Sequence, residues 1–247
     1  MIKYFLKIFI LIAIGTTLLI SKDVTKDIEF IGNPSKSQFA DGEAAYSRNV
    51  WDLQVYDEKL FIGAGNSANE GPSINSGNVE LHVYNPKTGK FCKETTVYDD
   101  QIDIFKLLNE KLFIPGHDAT GSWNWGNFYQ REQNGSWKMY RNIPKALHVY
   151  DLAYRDNMLF AGIGLYEGAA VGITSDLGKS WKIIKLGRSR VYAFMNIGDT
   201  MFALKKFKRT SKPYFSVAEY RGGNFVPRYD ISIFDFFPST KFDIKHP

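Results

Sequence analysis

Four acidic side chains fall where a glycoside-cleaving pair would be sought. Asp52, Asp103 and Asp151 recur at a similar level of look-alike segments, and Glu167 follows in a loop. Two carboxyls flanking a sugar supply a proton donor and a nucleophile or base. The same recurrence also fits carboxylates that hydrogen-bond a neighbouring strand. His117-Asp118 reads as an acid/base dyad or a ligand pair. The stretch HDATGSWNWGNFY carries Trp123 and Trp125, whose rings suit the C–H face of a sugar while polar rim groups meet its hydroxyls. Glu70 and Tyr166 lie in corresponding loops, and Arg48, Trp51, Arg190 and Tyr192 stand at the starts of the segments. Arg48 or Arg190 would contact an anionic sugar. The run KKFKRTSK (205–212) is the dense positive patch, suited to an acidic polysaccharide or a membrane surface.

The positioning elements are four repeats. VWDLQVYDEKLFIGAG (50–65), QIDIFKLLNEKLFIPGH (101–117), VYDLAYRDNMLFAGIG (149–164) and VYAFMNIGDTMFALK (191–205) read alike. Each is an apolar strand, a short polar turn and a second strand centred on Leu-Phe or Met-Phe, the pattern of a β-hairpin. The equivalent phenylalanines are Phe61, Phe113, Phe160 and Phe202. A loop, a third strand, a tight turn and a fourth strand follow each hairpin. Four strands per 40–50 residues predict an all-β fold, a β-propeller of four-stranded antiparallel blades. The blades are expected at 46–97, 98–147, 148–188 and 189–229, with a partial fifth at 230–247 and a linker or ring-closing strand at 22–45. Strand-one starts and the loops between strands two and three share one face, where a ligand would bind. Turns between strands three and four lie on the other.

The third repeat contains ITSDLGKSW. Thr174, Asp176, Gly178, Ser180 and Trp181 match the S/T-x-D-x-G-x-S/T-W pattern, with NGSW (134–137) and GGNF (222–225) as weaker copies. Asp176 can accept N–H bonds within its own turn, Gly178 can take a positive φ, and Trp181 can bury against the next sheet. On these residues the chain resembles the Asp-box, or BNR-repeat, β-propellers of the bacterial neuraminidase (sialidase) superfamily. The resemblance covers about 45–229 and implies a fold more than an activity. Family sialidases carry an Arg-Ile-Pro near the start of the first blade, where this chain has Tyr46-Ser47-Arg48-Asn49. The reading is thus an exported, sialidase-like propeller that binds a carbohydrate or an extracellular protein without turnover. The alternative is a glycoside hydrolase using two of Asp52, Asp103, Asp151 and Glu167, and a third is a scaffold that recruits a partner by strand addition at 230–247.

Residues 1–21 carry Lys3 and Lys7 before an uncharged apolar run at 8–20, the layout of a signal peptide or an uncleaved membrane anchor. Both export the remainder. The 247 residues are 44% hydrophobic and 23% charged, which excludes a disordered or collagen-like chain. Two of the +5 formal charges belong to the leader, so nucleic acid is not an expected partner. Cys92 is single, so no intrachain disulfide forms, and the four histidines are scattered at 82, 117, 148 and 246. No P-loop, dinucleotide fingerprint, nucleophile elbow or EF-hand occurs, and no cofactor or metal is expected.

Overall fold

The computed structural model describes residues 25–36, 38, 49–68, 74–205 and 215–236. The leader, Arg48, Glu70, 206–214 and 237–247 lie outside the described residues. Two compact units divide at Gly32, and the second, Asn33–Pro247, holds all the sheets. Residues 25–36, within the segment expected as a linker or ring-closing strand, include two 3-10 turns, Thr25–Asp27 and Pro34–Lys36. Among the described residues no helix is long and apolar enough to cross a membrane.

Among the described residues, sixteen strands make four antiparallel four-stranded sheets, each in sequential order. Blade one is β1 (Val50–Tyr56), β2 (Lys59–Ala64), β3 (Val79–Asn85) and β4 (Lys90–Val97). Blade two is β5 (Lys106–Leu108), β6 (Lys111–Pro115), β7 (Trp125–Arg131) and β8 (Trp137–Pro144). Blade three runs β9 (Ala146–Arg155), β10 (Met158–Leu165), β11 (Gly168–Thr174) and β12 (Lys182–Lys185). Blade four runs β13 (Val191–Ile197), β14 (Thr200–Lys205), β15 (Val217–Arg221) and β16 (Asn224–Arg228). The inner hairpins of blades one, two and three close through two-residue turns with both φ values positive, at Asp57-Glu58, Asn109-Glu110 and Asp156-Asn157. That twist matches the flanking strands, and Asp and Asn tolerate it best.

The expected first strand of blade two is cut short. Gln101 bridges to Gly65, and Ile102 N–H donates to Ala64 O at 2.8 Å, so 101–102 pair with blade one and β5 begins only at Lys106.

Blades pack face to face through repeated positions. Phe61 joins Ile102, Phe105 and Leu112 of blade two, Phe113 joins Leu152 and Leu159 of blade three, and Phe160 joins Met201 and Phe225 of blade four. Two aspartates cross these seams. Asp52 Oδ2 accepts from Phe105 N–H at 2.7 Å, and Asp151 Oδ2 accepts from Phe194 N–H at 2.7 Å. Asp151 Oδ1 also faces Lys106 Nζ at 2.8 Å. Tryptophans tie the outer strands in the same direction: Trp137 donates to Glu94 at 2.7 Å and Trp181 to Asn142 at 3.3 Å.

Among the described residues no apolar cluster joins blade four to blade one. Blade four's last face, with Phe202, Leu204 and Val217, is covered by Ile231, Ile233 and Phe236. Within 230–247 the described part therefore forms a one-turn helix, α1 (Ile233–Phe236), in place of a fifth-blade strand. Phe236 lies 5.6 Å from the Phe202 ring, and burying it there needs no sheet edge.

Asp151→Ala removes the acceptor for Phe194 N–H and leaves the Lys106 ammonium without its carboxylate. The expected loss is about 3–5 kcal/mol, read as a lower urea midpoint at unchanged slope.

Candidate functional site

The connections between strands two and three, and from each blade to the next, meet on one face. Two groups of chemically capable side chains form there, and the loop 116–124 contributes to both.

The first group gathers histidines, tyrosines and acids from blades two, three and four. His117 Nδ1 lies 3.3 Å from Asp103 Oδ2. His148 Nδ1 lies 3.0 Å from the His117 carbonyl and 3.6 Å from Asp118 Oδ1. A carbonyl only accepts, so His148 carries its proton on Nδ1. Burial and the nearby Arg190 push His148 down to about 3, keeping the ring neutral. Arg190 donates to the Tyr150 hydroxyl and lies over that ring, 5.8 Å from its centroid, and Tyr192 packs on Tyr150 at 4.5 Å. The expected His117-Asp118 dyad is thus crossed: each histidine faces an aspartate distant from it in the chain.

Behind this group sits Asp99, fully buried. Its Oδ2 accepts from the Tyr129 hydroxyl at 2.6 Å and from Asn127 Nδ2 at 3.1 Å. Its Oδ1 has no hydrogen-bond partner among the described residues. Burial outweighs those hydrogen bonds and raises the carboxyl to about 7. No sequence pattern singled out Asp99, because its character comes entirely from desolvation.

The second group is a cleft of about 440 Å³ between blades two and three, lined by Trp123, Lys145, Tyr166, Glu167 and Lys185 among others. Trp123 and Tyr166 are 46% and 69% exposed, their rings 6.5 Å apart at 58°. Trp123 Nε1 donates to Ala119 O at 3.0 Å, which fixes the indole while leaving its face open. Glu167 pairs with Lys185, which with the hydrogen bond between them holds its carboxyl below the ordinary range. Lys145, at a positive φ of 56° in the turn from β8 to β9, was not expected from the sequence.

The remaining expected residues stand apart. Trp125 opens β7, 46% exposed, outside the cleft lining. Trp51 donates to Gly65 O at 2.7 Å. Asp52 and Asp151 hold the blade seams described above. Lys205, first of the basic run, is buried: its ammonium donates to Leu186 O and Arg188 O at 3.2 and 3.1 Å and lies 4.1 Å from the Phe215 ring. Among the described residues no cluster of His, Cys, Asp and Glu could hold a metal ion.

On the opposite face the Thr174–Trp181 turn is tightly bonded. Asp176 Oδ1 accepts from Ser180 N–H at 3.0 Å and from the Thr174 hydroxyl at 2.7 Å, Oδ2 accepts from the Ser180 hydroxyl at 2.8 Å, and Ser180 N–H and these hydroxyls lower its carboxyl to about 2. Gly178, at φ 86°, passes so close to Asn142 that a Cβ would lie 2.4 Å from its amide. In blade two Asn134 takes the place of Asp176, accepting from Ser136 N–H at 3.0 Å.

No family model matches the chain, and no curated protein matches it. Among solved structures it is similar to the β-propeller domain of the Trilobed protease from Pyrococcus furiosus, at 13% identity and TM-score 0.39, over 70% of this chain and 53% of that one. It is also similar to the acylaminoacyl peptidase of Pyrococcus horikoshii, at 10% identity and TM-score 0.42, over 71% and 26%. A bifunctional GH43-CE protein of Bacteroides eggerthii is similar at 12% identity and TM-score 0.44, over 81% and 28%. The chain spans about half the length of the first and about a quarter of the other two. The chain folds as a β-propeller. That rests on its own four sheets and their repeated seams.

Because Asp99 is raised, the folded state holds a proton that the unfolded chain releases above about 3.8. Its contribution is full below that pH and is lost as pH rises through about 7. Between pH 6.5 and 8, where the titration of His148 is common to both proteins, stability should fall by roughly 1 kcal/mol more in the wild type than in Asp99→Asn, by urea unfolding at each pH.

Proposed function

We propose that this protein is an exported, sialidase-like β-propeller that binds a carbohydrate in the cleft between blades two and three. One observation carries the reading: two exposed aromatic rings from different blades, Trp123 and Tyr166, border a cleft whose polar lining is Lys145, Glu167 and Lys185. Sugar C–H faces pack on such rings, and the charged groups reach hydroxyls. The apolar leader at 8–20 supports export, and the Thr174–Trp181 turn supports the Asp-box resemblance. The hydrolase alternative draws support from Asp103, whose side chain is 36% exposed beside His117.

Titration with an oligosaccharide panel, followed by tryptophan fluorescence, tests the reading. Trp123→Ala is expected to weaken binding about tenfold, the loss of one aromatic contact, while Trp51→Ala leaves it unchanged. Equal affinity in Trp123→Ala removes the cleft from consideration. Turnover of a fluorogenic glycoside that disappears in Asp103→Asn selects the hydrolase instead.

A further inference from the structure

At the hairpin-turn end of the seam between blades two and three lies a pocket of about 170 Å³. Phe113, Gln130, Leu159 and Thr174, all buried, form its floor, and the exposed Asn109 and Asn157 stand at its mouth. Two departures from the repeat meet there. In the neighbouring seams a ring near the start of the next blade's outer strand reaches the strand-two phenylalanine: Trp137 lies 6.4 Å from Phe61, and Phe225 lies 6.1 Å from Phe160. In this seam the corresponding Trp181 lies against Phe128 instead, and Phe113 meets no other ring among the described residues. The second departure is the residue paired with that phenylalanine. It is Val83 in blade one and Ile173 in blade three, but Gln130 in blade two. Blade four has Glu219 there, bonded by Arg221 and Arg228. Gln130 is 2% exposed; its Nε2 donates to Glu132 Oε1 at 3.3 Å, and its Oε1 has no hydrogen-bond partner among the described residues. Paired residues share one face of a sheet, so the amide lies on the pocket side with Phe113. A buried carbonyl without a donor costs stability, and Val83 and Ile173 show that the seam can be built without it.

We infer that this pocket binds an aromatic ring carrying a hydrogen-bond donor, a phenol in its simplest form. The ring takes the place against Phe113 that Trp137 and Phe225 take against Phe61 and Phe160, and its hydroxyl donates to Gln130 Oε1. The space suffices, since an apolar cavity of about 150 Å³ holds a benzene ring. A site that offers a buried acceptor discriminates against the same ring without the donor, because the acceptor is then left unpaired. A free phenol and a tyrosine of a partner polypeptide present the same chemistry. The pocket lies at the opposite end of the seam from Trp123 and Tyr166, so it stands apart from any sugar bound between them.

Titration of the full chain with p-cresol and with toluene, followed by NMR, tests this. The wild type is expected to bind p-cresol about fivefold more tightly than toluene, the net worth of one hydrogen bond. Gln130→Ile, which installs the residue of blade three, is expected to lose that preference while melting no lower than the wild type. Intermolecular NOEs from the p-cresol ring to Phe113 and Leu159 locate the site in the wild type, whatever the variant does. N-acetyltyrosinamide bound as tightly as p-cresol marks a polypeptide tyrosine as the source, and its exclusion marks a free phenol. A wild type that binds neither ring up to about 10 mM, weaker than the millimolar range of the slightest specific association, overturns the inference. So do equal affinities for the two rings, a preference that survives in Gln130→Ile, or NOEs that place p-cresol against Trp123 and Tyr166 instead.

Discussion

Each four-stranded sheet has two apolar faces and can bury neither alone, and everything else in the molecule follows from that. The phenylalanine of strand two enters the next blade at Phe61, Phe113 and Phe160, where Leu112, Leu159 or Met201, at one equivalent position, meets it. Where the series ends, the chain supplies a substitute: Phe202 meets Phe236 of a one-turn helix. Non-directional packing of this kind sets the distance between sheets but not their register. Directional bonds across the seams set that. Asp52 and Asp151 each accept a backbone N–H from the following blade, and Trp137 and Trp181 each donate to the preceding one.

The cross-seam aspartates sit in blades one and three, and Ile104 and Ala193 hold the corresponding places in blades two and four. The seam between blades two and three is compensated by Lys106 against Asp151 and by Phe128 of blade two, edge-on to Trp181 of blade three. Holding this seam also holds the cleft, since Trp123 comes from one side of it and Tyr166 from the other. The geometry of this face therefore depends on packing well below it.

The two groups on the face that carries the loops between strands two and three differ in what burial has done to them. The histidine and tyrosine group is dehydrated: His148 is held neutral and the Tyr150 hydroxyl is raised by burial while accepting from Arg190. Such side chains are rigid and already bonded to one another. The cleft is wetter, and its rings and charges are open to solvent. That openness is why the proposed function is placed there.

Repeat period, hairpin turns and the Thr174–Trp181 turn were legible in the sequence because each is encoded within a few dozen residues. Alternating apolar positions and Asp-Glu, Asn-Glu or Asp-Asn turns specify a hairpin with no help from elsewhere. Strands β3 and β4 accordingly fall where their sequences place them. The roles of individual acids were not legible. Asp52, Asp103 and Asp151 look alike in sequence, yet two hold seams and one faces a histidine, because a carboxylate's role is set by the donor that the next blade brings to it. Lys205 likewise reads as part of a solvated basic run until two carbonyls and a ring enclose it. Local periodicity determined the blades. Only the tertiary structure decided which polar groups lose their water, because desolvation depends on neighbours distant in the chain.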